Sequence, residues 1–221
     1  MGENLEIVRR LIVASKYKDE GTTAHVVRVG GYARSLADML GASPEQCRNI
    51  FYAAQLHDIG KIGVPDSVLN KQGPLTNDEF ATVRRHCDIG AEIIGSSKNE
   101  ILQQAAVIAR GHHECWDGSG YPLRLQGEKI PLLARVTMLA DIYDALRSAR
   151  PYKTGFEHSE AVRIILRGDG RTRPEQFDPE LLQVFRREHE IFRIIFDESL
   201  VLPVDVGMFP LTCLMNVHIN T

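Results

Sequence analysis

Apolar residues recur at helical spacing along nearly the whole chain, and no stretch alternates for long enough with the two-residue period of a strand. Leu5, Val8, Leu11 and Ile12 share one face over residues 4–17. Val29, Tyr32 and Leu36 share a stripe over 24–40, which ends at Gly41 and also holds His25. Ser43-Pro44-Glu45-Gln46 reads as a capping box with proline at the first helical position. The helix it starts carries Cys47, Ile50, Phe51 and Ala54 inward and delivers His57 and Asp58 at its end. Thr76 and Glu79 form a second capping box. Its helix carries Phe80, Val83, Cys87 and Gly90 at helical spacing, with His86 near the inward face. Further helices are expected over 100–113 (ending in His112-His113), 132–148 (with Asp141 among apolar neighbours), 157–167, and 180–194 after Asp178-Pro179. Residues 59–75 and 114–131 are rich in glycine and proline and read as loops. The fold class is all-α.

With 221 residues and 43% hydrophobic content, one domain with one core is expected. A formal net charge of -3 argues against a protein that grips polymeric nucleic acid by its phosphates. A small anionic substrate stays open, because bound metal can supply local positive charge. The four cysteines, Cys47, Cys87, Cys115 and Cys213, form no C-x-x-C pair and read as reduced thiols. The first twenty residues are amphipathic, without a signal-peptide core, and no run reaches membrane-spanning length. A cytoplasmic location follows as the expectation.

Five of the eight histidines fall at helix ends or on inward faces: His25, His57, His86, His112 and His113. His158, His189 and His218 sit in ordinary polar or tail settings. An adjacent pair such as His112-His113 is awkward in a plain core, since each ring needs hydrogen-bond partners that a metal ion would replace. A histidine offers a neutral nitrogen, while a carboxylate such as Asp58 can bridge two ions. Taken singly, His25 and His86 would be satisfied core histidines, and His57-Asp58 a capping or surface pair. Taken together, five imidazoles with Asp58 and Asp141 suit two transition-metal ions of borderline softness, iron or manganese. Such a site, with its hydroxide, would carry a charge on the order of +1 and attract a phosphodiester. Lys61, three residues after Asp58, could stabilise the phosphoryl transition state. Arg150 and Lys153 form a basic pair able to hold phosphate oxygens, or else a solvated helix end.

The segments HDIGKIGVPD (57–66), LNKQGPLT (69–76), His86, HHECWDGSGYP (112–122), ARVTMLADIYDAL (134–146) and RPYK (150–153) resemble, in order and spacing, the motifs of the HD-GYP family. The resemblance covers roughly residues 20–190. It implies a single helical HD-domain phosphohydrolase fold that hydrolyses the bacterial signalling molecule cyclic di-GMP to pGpG or GMP. It implies that His25, His57, Asp58 and Asp141 hold one metal, with Asp58 bridging to a second held by His86, His112 and His113. Lys61 would lie near the scissile phosphate and act in catalysis with Asp58. Arg150 and Lys153 would contact phosphate, and Tyr121 of the Gly120-Tyr121-Pro122 loop would shape the pocket. The expected division is an N-terminal helix (1–19), a catalytic domain (20–195) and a tail (196–221).

Gly21 stands where some members carry a glutamate for a third metal, and Glu20 is one residue off, so a dinuclear centre is expected. The stretch GDGRTRPEQFDP is longer than the usual approach to FDP. Two other functions compete: a metal-loaded receptor or interaction module that docks onto diguanylate cyclase (GGDEF) domains with little turnover, and an HD phosphohydrolase for another nucleotide. The intact ligand set favours the enzyme, and the tail could serve a homodimer.

Overall fold

The computed structural model describes residues 2–18, 22–149 and 154–199, and every regular element among them is helical. The helices are α1 (Gly2–Lys16), α2 (Thr22–Met39), α3 (Pro44–Ala54), α4 (Asp66–Leu69), α5 (Asn77–Arg84), α6 (His86–Ile94), α7 (Glu100–Gly111), α8 (Leu132–Arg147), α9 (His158–Arg167), α10 (Pro179–Glu188) and α11 (Glu190–Ser199). Short 3₁₀ turns lie at Ile59–Gly63, Gly127–Lys129 and Pro174–Gln176. Both expected capping boxes form, Ser43 with Gln46 and Thr76 with Glu79. No described helix is long and apolar enough to cross a membrane.

α2 packs against α3, α8 and α11, while α7 packs against α3, α6 and α8. Val8 and Ile12 of α1 are fully buried in the same core. At its centre Tyr32 stacks on Phe192, and Tyr143 and Phe185 meet Phe192 edge-on. This arrangement brings together the C-terminal ends of α3 and α7, the N-terminus of α6, the first turn of α2 and the middle of α8. Those five places carry His57, His112, His86, His25 and Asp141.

Two expected helices are each divided. The helix after Thr76 turns at Arg85, where a three-residue bond (Arg85 N–H to Thr82 C=O, 3.3 Å) tightens its last turn. Cys87 and Gly90 are therefore buried as expected, but Phe80 is 42% exposed rather than inward. The last helix breaks at His189 into α10 and α11. The loop over 59–75 contains a 3₁₀ turn and the single turn of α4. Arg150, Lys153, Glu20, Gly21 and the tail from residue 200 lie outside the described residues.

Candidate metal centre

The chain leaves α3 after Ala54 and tightens through three-residue turns, with Leu56 N–H bonded to Ala53 and His57 N–H to Ala54. His57 is thereby turned fully inward and Asp58 placed beside it. The next turn lies against α6. A Cβ on Gly60 would sit 1.9 Å from the His86 carbonyl oxygen and 2.4 Å from the Gly90 nitrogen, so only glycine permits this approach. The backbone crossing is what seats His86 next to Asp58.

Four histidines share one hydrogen-bonding pattern. Nδ1 of His57 donates to Ala54 C=O (2.8 Å), that of His86 to Val83 C=O (2.7 Å), and that of His112 to Ile108 and Ala109 C=O (3.1 Å each). A carbonyl can only accept, so each Nδ1 carries a proton, which leaves Nε2 as the atom that can ligate an ion once it is unprotonated. For His25 the acceptor is the carboxylate of Asp144, 2.8 Å away.

The freed Nε2 atoms converge on two carboxylates. Asp58 Oδ2 is 3.3 Å from His57 Nε2, while Asp58 Oδ1 is 3.4 Å from His86 Nε2 and 3.7 Å from His112 Nε2. Asp141 Oδ1 is 3.4 Å from His25 Nε2 and 3.9 Å from His57 Nε2. Two ligand groups result, His25-His57-Asp58 and His86-His112-His113, each within 4.8 Å. The separations match the edges of coordination shells with bonds of about 2.0–2.2 Å. His57 Nε2 and Asp58 Oδ1 are buried without a hydrogen-bond partner, a costly state that a cation would relieve. The residues therefore fit two divalent ions, with Asp58 between them.

The electrostatics agree. Burial opposes a charge on His57, yet the Asp58 and Asp141 carboxylates outweigh it and hold its pKa up at about 9. That corner attracts positive charge. Burial, then the neighbouring His112, pushes His86 down to about 4. The same causes hold His113 well below the ordinary histidine value, so both rings stay neutral and able to ligate. Cys87 lies 3.6 Å from His86 Nε2, but burial raises its pKa and keeps it a protonated thiol, a poor ligand.

Lys61 Nζ is 2.7 Å from Asp58 Oδ2, at the edge of the centre. A cavity of about 270 Å³ opens at the centre, lined by Arg84, His112, His113, Tyr121, Asp141 and Arg171. Tyr121 stacks on His113 with ring centroids 4.7 Å apart. Its loop is pinned by Glu114, a buried carboxylate that accepts from Leu123 N–H (2.6 Å) and Leu125 N–H (2.9 Å). Gly120 sits against the backbone of His113 and Cys115, where a Cβ would lie within 2.5 Å of both.

Sequence reasoning left three features unassigned. Asp144, fully buried, is held by Arg28 (2.6 and 2.8 Å) and the Tyr32 hydroxyl (3.1 Å) while it orients His25. Arg84 lies over both Phe80 and Tyr121, 4.4 and 4.7 Å from the ring centroids, and its buried Nε has no partner. The long stretch before Phe177 lines the cavity through Arg171, Thr172 and Gln176, and Arg173 ties it to Asp117 of the Tyr121 loop at 2.9 Å. Only the length of that stretch signalled it.

The HD domain family profile matches residues 7–181. The chain is 46% identical over 182 residues to the cyclic di-GMP phosphodiesterase response regulator RpfG of Xanthomonas campestris pv. campestris, covering 82% of this chain and 47% of that protein. It is 41% identical over 192 residues to a cyclic di-GMP phosphodiesterase of Thermotoga maritima, covering 84% and 52%. The chain thus spans about half the length of the curated relatives it matches. A crystal structure of a Vibrio cholerae cyclic GMP-AMP phosphodiesterase (V-cGAP3) shares the fold with TM-score 0.61 at 22% identity, over 89% of this chain and 53% of that one. The residue sets, the motifs and these relatives agree: the chain belongs to the HD domain family, in its HD-GYP branch.

Proposed function

We propose that this chain is the catalytic domain of a cyclic di-GMP phosphodiesterase. Water attacks one phosphorus, the bond to the ribose oxygen breaks, and linear pGpG forms; a second hydrolysis would give GMP. The observation that carries this reading is Asp58, whose two oxygens face two separate histidine groups. When bound, two divalent ions neutralise phosphoryl oxygens and activate water. The imidazole and carboxylate donors suit iron or manganese.

The chain's own groups do the rest. His25, His57, Asp58 and Asp141 would hold one ion, and His86, His112 and His113 the other, with Asp58 reaching both groups. Lys61, already 2.7 Å from Asp58, offers charge or a proton to the oxygen that leaves. Tyr121 and Arg84 form a wall of the cavity that orients the dinucleotide. Arg150 and Lys153 serve as further phosphate contacts.

The test is anaerobic purification, metal analysis, and assay with cyclic di-GMP, with chromatography of the products. Formation of pGpG or GMP is expected. Binding without turnover would contradict the reading. The chain is also 38% identical over 187 residues to a protein named 3'3'-cGAMP-specific phosphodiesterase 2 of Vibrio cholerae, so that dinucleotide belongs in the same assay. Faster hydrolysis of 3'3'-cGAMP would reassign the substrate.

A further inference from the structure

The break between α10 and α11 places His189 and Glu190 beside His158, the first residue of α9. His158 Nε2 is 2.9 Å from His189 Nδ1 and 3.5 Å from Glu190 Oε1, and His189 Nδ1 is 3.8 Å from the same oxygen. The remaining polar atoms of two of these groups are already held. The Tyr143 hydroxyl lies 2.8 Å from His158 Nδ1, and Arg193 Nε donates to Glu190 Oε2 at 2.8 Å. His158 Nε2 and Glu190 Oε1 are therefore aimed at one point, together with His189 Nδ1.

Three separations of 2.9, 3.5 and 3.8 Å bracket the edge of a tetrahedron whose bonds are about 2.0–2.2 Å. Two imidazoles and a carboxylate form a donor set that takes zinc-class divalent ions and leaves a position for water. The Tyr143 contact to His158 is the outer hydrogen bond that fixes a ligand ring. His189 and Glu190 are solvent-accessible, with side chains 28% and 60% exposed, so an ion can enter.

We propose that His158, His189 and Glu190 form a second, non-catalytic site for a zinc-class divalent ion, which clamps α9 to the α10–α11 corner. No ligand of the HD centre belongs to it. Binding displaces the proton shared between the two imidazoles.

The test uses the full chain stripped of metal, loaded with Co²⁺ and followed by absorption and metal counting. His189→Ala and Glu190→Gln are both at accessible positions, and melting curves check that each variant folds. Each variant should lose one equivalent of Co²⁺ and its tetrahedral absorption, with phosphodiesterase turnover unchanged. His57→Ala should keep that equivalent while losing turnover. Unchanged metal content and spectrum in both His189→Ala and Glu190→Gln would overturn the proposal. Loss of turnover together with the equivalent would also overturn it, since the ion would then belong to the catalytic centre.

Discussion

Asp58 and His86 meet across the crossing of the Ile59–Gly63 turn and α6, with Asp58 Oδ1 3.4 Å from His86 Nε2. The other oxygen of Asp58 faces His57 at 3.3 Å, so one carboxylate touches both ligand groups. Asp58→Asn replaces an oxygen with an amide nitrogen that cannot ligate. It should reduce metal content and lower turnover by more than the roughly 10–100-fold typical of outer-sphere changes. Metal analysis with steady-state kinetics checks this, and wild-type metal content would refute it.

The crossing itself depends on Gly60. Gly60→Ala would drive a Cβ into the His86 carbonyl, so the turn must move away from α6. A loss of about 1–3 kcal/mol is expected from overpacking, read by denaturant unfolding. Metal affinity should fall with it, because Asp58 and His86 sit on opposite sides of the displaced contact.

Asp144 acts through His25. Asp144→Asn weakens the acceptor that fixes the His25 ring, and metal affinity should fall by about 10–100-fold. It also leaves the buried Arg28 guanidinium poorly paired, at a cost of about 3–5 kcal/mol. The paired replacement Arg28→Met with Asp144→Leu should recover most of that stability but not the metal affinity. Thermal melts and competition with a chelator separate the two effects.

Arg84 lines the cavity, with its buried Nε lacking a hydrogen-bond partner and its plane resting on Phe80 and Tyr121. Arg84→Ala should raise KM by about tenfold, the effect of losing a charge-assisted hydrogen bond of ~1.5 kcal/mol, with kcat nearly unchanged. Arg84→Lys should restore little, because lysine lacks the flat fork that stacks on rings. An unchanged KM for Arg84→Ala would remove it from the substrate wall.

Lys61→Met removes a cation without removing a ligand. Metal content should hold, and kcat should fall by about 10²–10⁴-fold if Lys61 serves the leaving oxygen. An unaltered kcat would limit Lys61 to its ion pair with Asp58.

The helical class and the two capping boxes were legible because apolar spacing and cap chemistry are local. The gathering of His25, His57, His86, His112, His113 and Asp141 was legible only as a set, and the motif resemblance divided it. Three things depended on tertiary contact instead. The breaks at Arg85 and His189 carry no glycine or proline to announce them. Arg84 looked like any helix-end cation until its neighbours Phe80 and Tyr121 were in place. His158 and His189 lie far apart in sequence, in settings that looked ordinary, and the fold brings them to 2.9 Å.

A pair of metal ions joined through Asp58 underlies the proposed chemistry. Electron paramagnetic resonance of the manganese-loaded chain tests it most directly, because two ions sharing a carboxylate are magnetically coupled. A coupled dinuclear signal is expected in the wild-type chain and should disappear in Asp58→Asn. Isolated single-ion signals in the wild-type chain, with turnover intact, would contradict it.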